Sequence, residues 1–223
     1  MLDRHQTIAN VVLDHSECAQ VFQRHRIDFC CHGDVSLADA AEHRAVDLDA
    51  LVAELSHAIA TRSASQPDLR ELKTPELLAH IVDTHHVYLR TSLPFVTTLA
   101  AKVSRVHGDH NPLLRDLHAA VEELGQALLP HLDHEENTLF PLLRAEQPDS
   151  LALTPLLDSM LEEHRAVAAL LARIRAATEE FSLPEWACNS YRTLFSELEQ
   201  LEGDTFTHVH LENHVLRPRF AAS

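Results

Sequence analysis

Glycine is nearly missing from this chain, with 4 among 223 residues, and aromatic side chains make up only 5%. Sandwiches and barrels of β-strands draw on both. The shortage, with Leu, Ala, Glu and His abundant, argues for an all-α fold. Basic residues are also scarce: 18 Lys and Arg stand against 34 Asp and Glu, a formal charge of -16. Such a surface repels phosphate backbones and anionic lipid, so no nucleic-acid partner and no membrane partner is expected. No apolar run approaches the ~20 residues that a spanning helix needs. Charged residues break up positions 1–14 too often for a signal-peptide core. The expected location is therefore cytoplasmic. Cysteine is limited to Cys18, Cys30, Cys31 and Cys188. In a reducing compartment these read as free thiols, and a bond between the adjacent Cys30 and Cys31 would be strained.

Histidine is the residue in excess, with 18 copies. A polar surface with a histidine bias would explain the number. Metal binding would explain the number and a spacing as well.

Breakers and caps divide the chain. Residues 1–60 read as a small helical domain, with Thr7, Ser36 and Asp47 as helix caps and a turn at Cys30-Cys31. Residues 61–74, polar and containing Pro67, read as a linker. Residues 75–223 read as four long helices, at 74 to about 106, 112 to 144, 154 to 180 and 184 to 218. Thr74-Pro75 and Thr154-Pro155 are the expected starts of the first and third. Short connections favour antiparallel neighbours, hence a four-helix bundle. A bend is expected at Pro130.

Two segments of this bundle resemble each other. HLDHEENTLFP runs from His131 to Pro141, and HVHLENHVLRP from His208 to Pro218. His, Glu, Leu and Pro recur at offsets 0, 4, 8 and 10. Residues four apart share a helix face, with Cβ atoms ~5–6 Å apart. An imidazole and a carboxylate so placed converge on one cation, or on two bridged by the carboxylate. A histidine upstream completes each half: His86 lies 45 residues before His131, and His164 lies 44 before His208. That is about one helix out and one back, which returns the chain to the same level. Imidazole with carboxylate suits iron or manganese, with zinc as an alternative, and leaves positions open for a reactive ligand. Surface histidines in salt bridges would not produce matched separations. His85 points about 100° from His86, so the two cannot both face the site, and His134 and His210 have no counterpart in the other repeat. All three read as surface groups or as groups orienting a ligand. Glu136 and Glu163 read the same way, with solvated acids the favoured reading.

With these motifs and the Asp28-Phe29-Cys30-Cys31 run, the bundle resembles a hemerythrin-type domain. The whole chain resembles the repair-of-iron-centres (RIC) family of di-iron proteins. The resemblance implies two iron ions per chain, bridged by oxygen and by carboxylates. The implied ligands are His86, His131, Glu135, His164, His208 and Glu212, with Glu135 and Glu212 bridging. It also implies a role in nitrosative and oxidative stress: binding or reducing nitric oxide, or restoring damaged iron-sulfur clusters, with iron-sulfur proteins and an electron donor as partners, in a monomer or dimer. Cys30 and Cys31 are candidate redox or transfer thiols. Other roles consistent with the same residues are an O2 or NO sensor without turnover and an iron donor for cluster assembly. The chain departs from the family pattern at His32, where a second glycine often follows the cysteines, and at Arg217, where an apolar residue is usual. Ala168 stands four residues after His164, which favours a four-histidine site over the five-histidine site of oxygen carriers.

Overall fold

A computed structural model describes residues 2–61, 68–145 and 150–220; residues 62–67 of the expected linker lie outside it. The described residues are helical, with no strand beyond an isolated bridge between Thr7 and Ser36. The chain divides into two compact units. One is Met1–Lys73 with Phe206–Arg219, and the other is Thr74–Thr205 with Phe220–Ser223.

The first unit holds α1 (Ile8–Asp14), α2 (Cys18–Arg24), α3 (Leu37–His43) and α4 (Leu48–Thr61). The caps are those expected. Thr7 accepts from the Asn10 amide, Ser36 from Asp39 and Asp47 from Ala50. With little glycine to use, α2 and α3 end on Arg26 and Ala45 in the left-handed region, φ 58° and 52°. Each turn is closed by a six-to-one bond, from Ile27 to Phe22 and from Val46 to Ala41, both 2.9 Å. Ile8, Val11, Phe22, Phe29, Leu37, Leu51, Leu55 and Val209 form the core. Phe29 is central to it, with ring centroids 6.2 Å from Phe22 and 6.1 Å from Phe206.

The second unit is built from α5 (Thr74–Ile81), α6 (Val87–His107), α7 (Leu113–His134), α8 (Phe140–Leu143), α9 (Ser150–Ala177) and the start of α10 (Asn189–Leu211). Buried residues recur at alternating three- and four-residue steps. On α6 they are Leu89, Leu93, Val96, Ala100 and Val103; on α7, Leu117, Val121, Leu124 and Leu128; on α9, Leu157, Met160, His164, Val167, Leu171 and Ile174. This is the seam spacing of packed antiparallel helices. Each Leu, Val, Ile or Met among them contributes about 1.5–3 kcal/mol by leaving water. Polar ties bring in α10: Lys102 to Ser190 at 3.1 Å and Arg175 Nε to Glu202 at 2.8 Å.

Two helix starts differ from the sequence reading. The third helix begins at Ser150, so Pro155 lies within its first two turns, where the missing N–H forfeits only one backbone bond. The fourth begins at Asn189, because residues 184–188 close into a turn with the Ala187 amide on the Pro184 carbonyl at 3.0 Å. Pro130 lies inside α7, which continues past it to His134. Among the described residues the helical pattern changes at three π-helical turns, Val82–His86, Glu135–Leu139 and Glu212–Leu216.

Candidate metal centre

Three of the expected ligands occupy positions where the seam calls for an apolar residue. His86 leads into Leu89 on α6, His131 follows Leu128 on α7, and His164 stands between Met160 and Val167 on α9. All three imidazoles are buried, as is Glu135, at 1% exposure. The π turns end on His86 and begin at Glu135 and Glu212. A π turn inserts a residue into the ladder and re-aims side chains, and such turns are frequent at functional sites.

In the second unit, donor atoms of His131, Glu135 and His164 lie within 4.8 Å of one another. The Nε2 atoms of His131 and His164 are 3.2 Å apart. Two nitrogens bound ~2.1 Å from one cation lie ~3.0–3.4 Å apart, so the spacing suits a shared ion. Glu135 places one oxygen 3.2 Å from His131 Nε2 and the other 3.4 Å from His86 Nε2.

The other ring nitrogens are also engaged. His131 Nδ1 is 2.6 Å from Glu163 Oε2, and His86 Nδ1 is 2.9 Å from Glu136 Oε1. An ionised carboxylate only accepts, so Nδ1 is the donor in both pairs. In the neutral imidazole this leaves the Nε2 lone pair facing the centre, the tautomer that a metal ligand requires. Burial pushes both carboxyls up, but their partners more than offset it and hold them below the usual range: Arg90 and His86 beside Glu136, and His131 and Ser159 beside Glu163. Glu136 and Glu163 are therefore bonded to the candidate ligands, the orienting alternative and not the favoured reading as solvated acids. The available signal was adjacency. A residue next to a ligand points ~100° away from it on the helix, toward a neighbouring helix. His85, likewise, is buried with Nδ1 2.9 Å from Asp204. An open hollow is lined by Pro130, His131, His134, Glu163 and Val167.

In the first unit, His208 and Glu212 are fully buried, with Nε2 and Oε1 3.2 Å apart. Cys30, buried, and Cys31, half-buried, lie in the turn after α2. Burial, then Cys31 and Asp28, pushes the Cys30 thiol well above its ordinary value. His210 is buried against Phe29, its Nδ1 3.2 Å from the Phe29 carbonyl oxygen.

Buried imidazoles and carboxylates on long helices define a helical cation-binding protein. Comparison with known proteins agrees. Residues 77–220, which include all six candidate ligands, match the hemerythrin HHE cation binding domain. Residues 4–59, with both cysteines of the turn, match a domain of unknown function (DUF542). The chain is 34% identical over 216 residues to the iron-sulfur cluster repair protein YtfE of Yersinia pseudotuberculosis, covering 97% of this chain and 96% of the relative. It is 30% identical over 219 residues to the iron-sulfur cluster repair protein ScdA of Staphylococcus epidermidis, covering 97% and 98%. With ScdA of Staphylococcus haemolyticus it shares 29% over 225 residues, covering 99% and 100%. The chain belongs to this family of iron-sulfur cluster repair proteins, all-α, with a hemerythrin-like four-helix bundle after a small helical N-terminal domain. No helix of the described residues is long and apolar enough to cross a membrane.

Proposed function

We propose that the chain is a non-haem di-iron protein of the stress response that acts in iron-sulfur cluster repair and binds or reduces nitric oxide. The proposed ligands are His86, His131, Glu135, His164, His208 and Glu212, with the two glutamates bridging two irons per chain. The observation that carries this reading is the tautomer set at His86 and His131. Each Nδ1 is engaged by a carboxylate, and each Nε2 faces the buried Glu135. His208 and Glu212 repeat the His131–Glu135 spacing, and the family match spans both pairs. The donor set is nitrogen and oxygen only, which suits iron in preference to a thiolate-loving ion.

An iron pair bound there would supply redox chemistry and open positions for a small gas. The chain's own residues do the rest. Glu136 and Glu163 hold two imidazoles in the binding tautomer. The apolar seam on either side of the donors keeps bulk water away. The hollow beside His131 offers a small molecule an approach from solvent. Damaged iron-sulfur proteins are the proposed partners, together with an electron donor, in the cytoplasm.

Iron per chain in protein purified without chelator tests the metal assignment, and anaerobic NO titration of the reduced protein tests the chemistry. About two irons and a spectral change on NO addition are expected. One zinc and no iron would overturn the assignment. An unchanged spectrum with iron present would overturn the NO reaction alone.

A further inference from the structure

The Asp28–Cys31 turn is not used by the reading above. Its donors belong to the first unit and lie close together: the Asp28 carboxylate and the Cys30 and Cys31 thiols are within 4.8 Å of one another. The two Sγ atoms are 3.8 Å apart. A tetrahedral cation with metal–sulfur bonds of ~2.3 Å sets its two sulfurs ~3.8 Å apart, so this edge already has the length such an ion needs. Asp28 Oδ1 lies 3.1 Å from Cys30 Sγ. The ideal sulfur–oxygen edge is ~3.5 Å, a few tenths of an ångström longer.

Oxidation competes poorly for these thiols. Neighbouring α-carbons across a trans peptide are ~3.8 Å apart, whereas disulfides usually need at least ~4.4 Å. The turn is also held rigidly. Asp28 Oδ1 accepts from the Cys30 amide at 3.1 Å and the Cys31 amide at 2.8 Å. His32 Nδ1 binds the other Asp28 oxygen at 2.7 Å. The Cys30 carbonyl accepts from Asn213 Nδ2 and His214 Nε2, both at 2.9 Å. The Cys30 thiol lies within donating distance of both Asp28 Oδ1, at 3.1 Å, and Cys31 Sγ, at 3.8 Å, so the three donor atoms already converge.

We propose that Asp28, Cys30 and Cys31 form a second metal site, separate from the buried histidine–glutamate donors, for a thiophilic divalent cation such as Fe2+ or Zn2+. Its fourth position opens beside the half-buried Cys31. Binding breaks two S–H bonds and forms two metal–sulfur bonds. The two protons go to solvent and no electron moves. Asn213 and His214 directly follow Glu212, so the backbone of the cysteine turn is tied to the helical turn that carries Glu212. The proposal does not depend on iron at the helix donors.

The test is an anaerobic Co2+ titration of the full-length protein, first loaded with iron and then treated with a weak chelator, so that Fe2+ taken up by the thiols is cleared before cobalt is added. Thiolate-to-cobalt charge transfer in the near ultraviolet reports cobalt on a cysteine, because cobalt on imidazole and carboxylate lacks it, and the cysteine variants separate this site from Cys188. One further Co2+ per chain with that absorption is expected. It should be lost in Cys31→Ser, weakened about tenfold or more in Asp28→Asn, which keeps the turn acceptor but not the charge, and unchanged in Cys188→Ser. Displacement of the Co2+ by one equivalent of Zn2+ or by Fe2+ then identifies the preferred ion. No charge transfer in the parent, or undiminished charge transfer in Cys31→Ser, overturns the proposal. Failure of iron loading leaves the charge-transfer readout intact and counts only against the di-iron reading.

Discussion

Glu163→Ala isolates what the carboxylate beneath His131 does. In the parent, Oε2 accepts from Nδ1 at 2.6 Å, and the side chain is 42% exposed. Removing it frees the imidazole to rotate and to adopt the tautomer with the proton on Nε2, which cannot bind metal. Partners of this kind are worth about 10–100-fold in metal affinity, or about 1.4–2.8 kcal/mol. Glu163→Gln should lose less, because the amide oxygen still accepts the Nδ1 proton. The assay is chelator competition for bound iron, paired with melting of the metal-free proteins. The metal-free variant should melt within about 1 kcal/mol of the parent, since a half-exposed ion pair adds little stability. If Glu163→Ala releases iron at the same chelator concentration as the parent, while Glu135→Ala does not retain it, the orienting role is wrong.

Glu135→Ala should leave less than one iron per chain by elemental analysis; retention of two would remove Glu135 from the ligand set. Gly33→Ala should destabilise by about 1–3 kcal/mol in denaturant melts, because the new methyl would come 2.5 Å from the Phe29 carbonyl and 2.7 Å from Ala9 Cβ; an unchanged midpoint would show that the turn yields. Burial, aided by Glu17, pushes the Cys18 thiol up to about 12, from an ordinary value of 9.0. Its contribution is whole below pH 9.0 and is lost as pH rises toward 12, at about 1.4 kcal/mol per unit. Stability measured across that range should fall less steeply in Cys18→Ala than in the parent, and equal slopes would refute the cause.

Much of the helical layout was legible because caps and seam spacing are local. Thr7, Ser36 and Asp47 cap where a hydroxyl or carboxylate before an apolar stretch says they should. The repeated His-x-x-x-Glu spacing was legible for the same reason, since four residues return a helix to the same face. The start of α9 was not legible, because Thr154-Pro155 has good cap chemistry whether or not the helix has already begun. The π turns at His86, Glu135 and Glu212 also escaped, since no residue type marks them.

The sequence by itself determined an acidic helical protein with six candidate ligands in two matched halves, because composition, helix period and motif spacing are properties of the chain alone. Only the tertiary structure decided what lies behind those ligands. Glu136 meets His86 across 50 positions, Glu163 meets His131 across 32, and Asn213 meets the Cys30 carbonyl across 183. Such pairs arise where helix faces pack. One-dimensional spacing does not record which face meets which, or whether an acidic side chain ends in water or on an imidazole.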